Sequence, residues 1–189
     1  MSILSGLCRL YFCQGQLKKA RDYAHQALSL AKEAGGQADQ LFIYNLLGQT
    51  HTDLNQPQMA EKAYLAALDI AQATGLDVFA KVSWAGLAAL ALANGRYGQA
   101  LASIENILTF LQDKTLNPSA EPMFVFVQSI RVLNACNDQR VHTLLAYAHD
   151  YLHTNAKRIQ DQALYSLYLH QERWNRVFLK LHQEAALAF

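Results

Sequence analysis

LFIYNLLGQTHTDLNQPQMAEKAYLAALDIAQATG, residues 41–75, carries two helical patterns joined by one short break. Tyr44, Leu47, Gly48 and His51 recur at i, i+3, i+4 and i+7, the spacing of one helix face. Ala60, Tyr64, Ala67, Leu68 and Ala71 form the matching stripe of a second helix. Between them Asn55-Gln56 breaks the pattern and Pro57 restarts it, since proline's missing N–H would be unpaired in a first helical turn anyway. Gly75 ends the unit. Gly48 and Ala60 lack bulk, so the spacing predicts two backbones in close approach with large tyrosines filling the flanking space.

The same unit recurs on both sides of this stretch. Ala20, Ala60 and Ala100 lie forty residues apart, and so do Leu4, Tyr44 and Trp84. Leu7, Leu47 and Leu87 share the register, as do Cys8, Gly48 and Ala88, then Gly15, Asn55 and Gly95, then Leu28, Leu68 and Leu108. Gly35 and Gly75 mark two unit ends. A period of this length built from two helices is the signature of an α-solenoid, whose units bury their apolar faces against their neighbours. The expected fold is all-α: a right-handed α-α superhelix of about four helix pairs in one domain over residues 1–189. The pairs are expected at about 1–36, 37–76, 77–115 and 120–156, with a C-terminal helical cap at 157–189. The predicted helices are Ile3 to Gln14, Leu17 to Ala34, Asp39 to Leu54, Pro57 onward, Val78 to Ala93, Tyr97 to Gln112, Pro122 to Ala135 and Asp138 to Asn155. Two shorter ones follow, Arg158 to His170 and Glu172 to Ala186.

DKTLNPSAEP, from Asp113 to Pro122, reads as a connector, with Asn117, Pro118, Ser119 and Pro122 as breakers. Beyond it the strict period is lost, as expected of a terminal repeat that must close the stack. Trp174, Phe178 and Leu181 are spaced to lay one apolar face onto it.

Composition narrows the function classes. Of 189 residues 52% are hydrophobic and 16% charged, which favours a packed body over disorder. The net charge of +1, with basic residues dispersed, supplies no footprint for nucleic acid and no basic helix face for a membrane surface. No run approaches a transmembrane length, and the N-terminal segment, interrupted by Arg9, lacks the pattern of a secretory signal. Cys8, Cys13 and Cys136 form neither a disulfide framework nor a metal-binding spacing, so a cytoplasmic setting is expected, with Cys8 a small buried residue.

Leu41 through Gly48, followed by Ala60, Tyr64 and Ala67, resembles the tetratricopeptide repeat. Trp84, Leu87, Ala88, Gly95, Tyr97 and Ala100 match it in the next unit. The units here are longer than the family's about thirty-four residues, implying longer helices and connectors. A narrower likeness lies in Arg131 to Leu164, which resembles the end of the helical-repeat region in large bacterial multidomain regulators, of ATPase, cyclase and LuxR-like kinds. Asn137 and Val141-His142 depart from that pattern. The resemblance implies a non-catalytic interaction or scaffolding module, the regulatory arm of a bacterial signalling or transcription-regulatory system, either excised or freestanding. The alternative is a ligand-sensing arm whose groove takes a small molecule or peptide and reports to a linked ATPase.

A concave face built from the first helix of each pair should present residues one or two places off the buried stripe. Those are Arg9, Phe12, Asn45, Gln49, Thr52, Ala85, Ala89, Leu92, Val127 and Arg131. Arg9 and Arg131 would offer forked donors to a carboxylate or phosphate on a protein or peptide partner. Alternatively, Val82, Ala85, Ala89 and Leu92 are covered by the C-terminal helices and no groove exists there. His149 and His153 stand four apart, a zinc spacing, but Asp150 follows where a catalytic glutamate would be needed, and a third ligand is missing. Helix-surface histidines are the expectation, and no metal or cofactor. AGGQAD lacks the lysine and the preceding strand of a phosphate loop. Ser83, Ser103 and Ser129 have no histidine–carboxylate motif beside them, so no enzyme is expected. Ile3, Leu4, Leu7, Leu10 and Tyr11 make an apolar first helix, suggesting self-association through the first repeat, most simply as a twofold dimer.

Overall fold

One turn is built four times over. In the computed structural model, which describes residues 3–112 and 121–187, Gly15, Asn55, Gly95 and Asn137 all adopt left-handed φ, between 52° and 72°. Each sits in the same pair of backbone bonds. Gln16 N–H donates to Tyr11 O, Gln56 to His51, Arg96 to Ala91 and Asp138 to Leu133, every one at 2.9 Å. This closes the last carbonyls of one helix and launches the next in the opposite direction. Glycine takes that conformation without a Cβ penalty. Asparagine is the side-chain-bearing residue that best tolerates it, so Asn137 does a glycine's work in the last of these turns.

The described residues form ten helices: α1 (Ile3–Cys13), α2 (Leu17–Glu33), α3 (Gln37–Asp53), α4 (Pro57–Thr74), α5 (Asp77–Ala93), α6 (Tyr97–Gln112), α7 (Pro122–Ala135), α8 (Arg140–Ala156), α9 (Gln162–His170) and α10 (Arg173–Leu187). Helices adjacent in sequence pack as pairs. In addition α1 touches α3, α3 touches α5 and α5 touches α7, so α1, α3, α5 and α7 make an inner layer and α2, α4, α6 and α8 an outer one. This is the adjacent-pair packing of a helical repeat. The connector at residues 113–120, with Asn117, Pro118 and Ser119, lies outside the described residues.

The repeated small residues are where the pairs close. Ala20, Ala60 and Ala100 are all fully buried, as are Cys8 and Ala88. Burial pushes the Cys8 thiol pKa up to about 12, which leaves it an apolar filler and no nucleophile. In the central unit the expectation for Gly48 is refined. A Cβ built on Gly48 would stand 2.6 Å from Tyr64 Cδ1, so the tyrosine ring fills the space over the glycine itself and does not merely flank it. On the outer layer Arg140 of α8 grips Glu105 of α6, Nη2 to Oε1 at 2.6 Å and Nη1 to Oε2 at 3.0 Å, while also bonding Asp138.

Three helix starts differ from the sequence expectation by two residues or more, and α5 and α10 by one. α3 begins at Gln37, two residues before Asp39. α8 begins at Arg140 because Asp138 is drawn into the turn, its carboxylate accepting from Arg140 N–H at 2.9 Å. α9 begins at Gln162 and not at Arg158, since Asp161 is its N-cap and accepts from Leu164 N–H at 2.9 Å. A shift of four residues follows: the extended Asp161 separates α9 from α8 and lets the last hairpin turn back. α10 then packs against α7, an inner helix, and only lightly against α8.

Candidate functional site

The inner face is stitched together by side chains distant in sequence. Glu121 enters α7 with φ of 50°, a left-handed residue that is not glycine, and its carboxylate points across the inner layer. Its Oε1 accepts from Arg9 Nη1 of α1 at 3.3 Å and its Oε2 from Gln49 Nε2 of α3 at 2.9 Å. Opposite, the Arg173 guanidinium at the start of α10 makes a two-pronged ion pair with Asp53 at the end of α3. Nη2 lies 2.9 Å from Oδ1, and Nη1 bonds Oδ2. The same guanidinium lies 5.2 Å from the Phe12 ring centroid and 4.5 Å from that of Trp174. Bonding to Asp53 raises the Arg173 pKa against the opposing effect of burial. Trp174 in turn tilts onto Phe124 of α7, centroids 4.8 Å apart. Glu172 fixes this corner by accepting from the backbone N–H of Trp174 and of Asn175, both at 2.9 Å.

Arg173 and Trp174 thus form a wedge, and an open cavity lies on each side of it. The larger, about 400 Å³, is lined by Arg9, Phe12, Glu121, Tyr151, Tyr168 and Asn175, among others. The second, about 330 Å³, is lined by Gln49, Thr52, Tyr64, Ala89, Leu92 and Arg131, among others. Phe124, Arg173 and Trp174 border both.

The ten residues picked from the sequence fall into three groups. Gln49, Thr52, Ala89, Leu92 and Arg131 come together in the second cavity, and Arg9 and Phe12 in the first. Asn45, Ala85 and Val127 lie in the interior. Asn45 donates to Phe79 O at 3.2 Å and accepts from Ser83 Oγ at 2.6 Å, a buried polar tie between α3 and α5. Val82 and Ala85 pack with Phe124 and Val127, so α7 covers the lower half of α5, whereas Ala89 and Leu92 stay half-buried at the cavity. Arg9 is engaged by Glu121. Arg131 reaches Gln128 Oε1 only at 3.5 Å, and its pKa is lowered by burial and by the neighbouring Arg173. Gln49 Oε1 is a buried acceptor without a hydrogen-bond partner.

Asp53, Glu121, Arg173 and Trp174 were not among the ten. Asp53 and Arg173 are 120 residues apart, and no local spacing joins them. The one available signal was Trp174, recognised as part of the apolar face of the cap. The histidines also gain a member. His149 and His153 of α8 lie 4.3 Å apart by ring centroid, and His182 of α10 stacks on His149 at 4.7 Å. Burial, then the neighbouring imidazoles, lowers the pKa of His153 and of His182. Among the described residues no group of three or more histidine, cysteine or acidic side chains could hold a metal ion, and no helix is long and apolar enough to cross a membrane.

A tetratricopeptide-repeat family model matches residues 1–73, the stretch occupied by α1 to α4. No curated protein and no solved structure matches the chain.

Proposed function

We propose that this chain is a non-catalytic protein-interaction module, a right-handed superhelix of four tetratricopeptide-like pairs and a cap, whose inner groove receives a segment of a partner protein. One observation carries the reading. Gln49, Thr52, Ala89, Leu92 and Arg131, contributed by three successive inner helices, converge on one partly open cavity. Such a surface mixes apolar walls with a few fixed polar groups, the composition that recognises a peptide segment. The resemblance to regulators supports a role as the regulatory arm of a bacterial signalling or transcription-regulatory system in the cytoplasm. Self-association through α1 belongs to the same proposal: Ile3 and Leu10 are exposed there, at 84% and 50%.

The test is affinity capture from native lysate with the wild-type chain beside Ala89→Trp, which fills the second cavity, and Arg131→Glu. A partner retained by the wild type and lost by both helical variants supports the proposal. Capture indifferent to both overturns it. A second reading has its own observation: the cavity of about 400 Å³ is walled by Phe12, Phe124, Tyr151, Tyr168 and Trp174 with charged groups at its edge, a setting for a small ligand. Saturable thermal stabilisation by a metabolite, with no protein partner recovered, would favour that reading.

A further inference from the structure

The α9–α10 hairpin is weakly buried yet makes the most specific contacts in the groove. Among its described residues only Leu169, Asn175 and Phe178 are buried, whereas α7 alone buries eleven. Leu164 and Leu167 of α9 stay 57% and 43% exposed. Few buried contacts place an element at the low end of local stability, where opening is easiest. Against that, its first turn sits in a receptor of matching chemistry. A carboxylate (Asp53) and an aromatic face (Phe12) hold the guanidinium of Arg173, and a second ring (Phe124) holds the indole of Trp174. The receptor groups come from α3, α1 and α7, so they belong to the inner layer itself. Open cavities continue on both sides, giving a longer segment a path through.

We propose that Asp53, Phe12 and Phe124 form a receptor for an arginine–aromatic pair carried by a partner segment, and that Arg173-Trp174 occupies it in cis until that segment displaces it. The proposal rests on the groove being the interaction surface and adds the chemistry of the partner. A basic-aromatic segment satisfies Asp53 and covers both rings. An acidic segment leaves Asp53 facing like charge once Arg173 has gone. The tethered pair competes at an effective concentration of about millimolar, so the closed chain lowers the apparent affinity of any partner for this receptor.

The probe is a fluorescein-labelled peptide of residues 171–187 of this chain, titrated with full-length protein. Full-length Arg173→Ala/Trp174→Ala should bind it at least about tenfold more tightly than the wild type. Adding Asp53→Asn should remove that binding, as should replacing the arginine and tryptophan within the peptide by alanine. A double variant with wild-type circular dichroism that binds no tighter than the wild type overturns the proposal, as does binding that survives Asp53→Asn. If the double variant loses its helical signal, Arg173→Gln alone, read by the same titration, decides in the same way. The broader interaction reading fails separately: partner capture indifferent to both Ala89→Trp and Arg131→Glu would sink it even where the peptide titration succeeds.

Discussion

Tyr64 of α4 and Gly86 of α5 occupy one space between them: a Cβ on Gly86 would lie 2.5 Å from Tyr64 Cε1. With Gly48 on the other side, the ring is held between two glycines of successive inner helices, fully buried. Burial raises its pKa accordingly. Gly86→Ala should therefore destabilise the chain by about 1–3 kcal/mol through overpacking. Tyr64→Ala should cost about 3–5 kcal/mol, because it leaves a ring-sized void. Urea unfolding of the two single variants and the double checks this. In the double variant the alanine at 86 enters space already vacated, so its cost should shrink toward zero.

Asn45→Ala should cost about 1–3 kcal/mol, since it strands the Ser83 hydroxyl and one acceptor at Phe79 in the interior. Ser83→Ala removes a single bond and should cost less. A double-mutant cycle should show that the two effects are not additive.

The ion pair of Asp53 with Arg173 is partly exposed, at 23% and 33% of their side chains, so its net contribution is modest, about 1 kcal/mol. The local effect should be larger than the global one. Arg173→Gln should speed amide exchange selectively in α9 and α10 while leaving α3 and α4 protected, as hydrogen-exchange mass spectrometry would show.

Acid should weaken the chain through its histidines. The pKa values of His25, His153 and His182 all lie below the ordinary 6.5. The folded state therefore binds fewer protons than the unfolded state as pH falls below 6.5. Stability is complete above that pH and is lost as pH drops toward the lowered folded values. Around His149, His153 and His182 the charged neighbours are Asp150, whose carboxylate lies 3.9 Å from His149, and Lys157. His149 and His153 thus share one exposed carboxylate beside a lysine. Replacing His182 by asparagine should flatten the acid limb of a melting-temperature profile between pH 7 and pH 5.

The helix pairs and their turns were legible because their causes are local. Asn55 and Gly95 mark a change of direction by backbone preference, and Ala60 and Ala100 mark a close approach by size. Gly86 was not picked out, because Leu46 stands forty residues before it and its reason is the one large ring at position 64; the positions forty residues to either side of that ring are Ala24 and Ile104. The groove was half legible. Residues beside the apolar stripe were identified, but Ala85 and Val127 turned inward because α7 and α5 pack closely there, and Asn45 because it bonds Phe79 and Ser83 of α5. The clasp of Asp53 with Arg173 was out of reach, since charged residues at helix ends ordinarily face water and nothing in their spacing announces a partner.

Glu121 and Arg173 change how this molecule should come apart. A stack whose units touch only their neighbours frays from its ends and melts piece by piece. Here α1 is bonded to the start of α7 and α3 to the start of α10, across 112 and 120 residues. Peeling away the last hairpin releases a restraint on the second pair, and loosening the first helix removes one of the two bonds that hold Glu121. The two ends are thermodynamically coupled. Far-ultraviolet and tryptophan-fluorescence melts should coincide in one transition, and closing contacts of such high sequence separation should make folding slow for a helical protein.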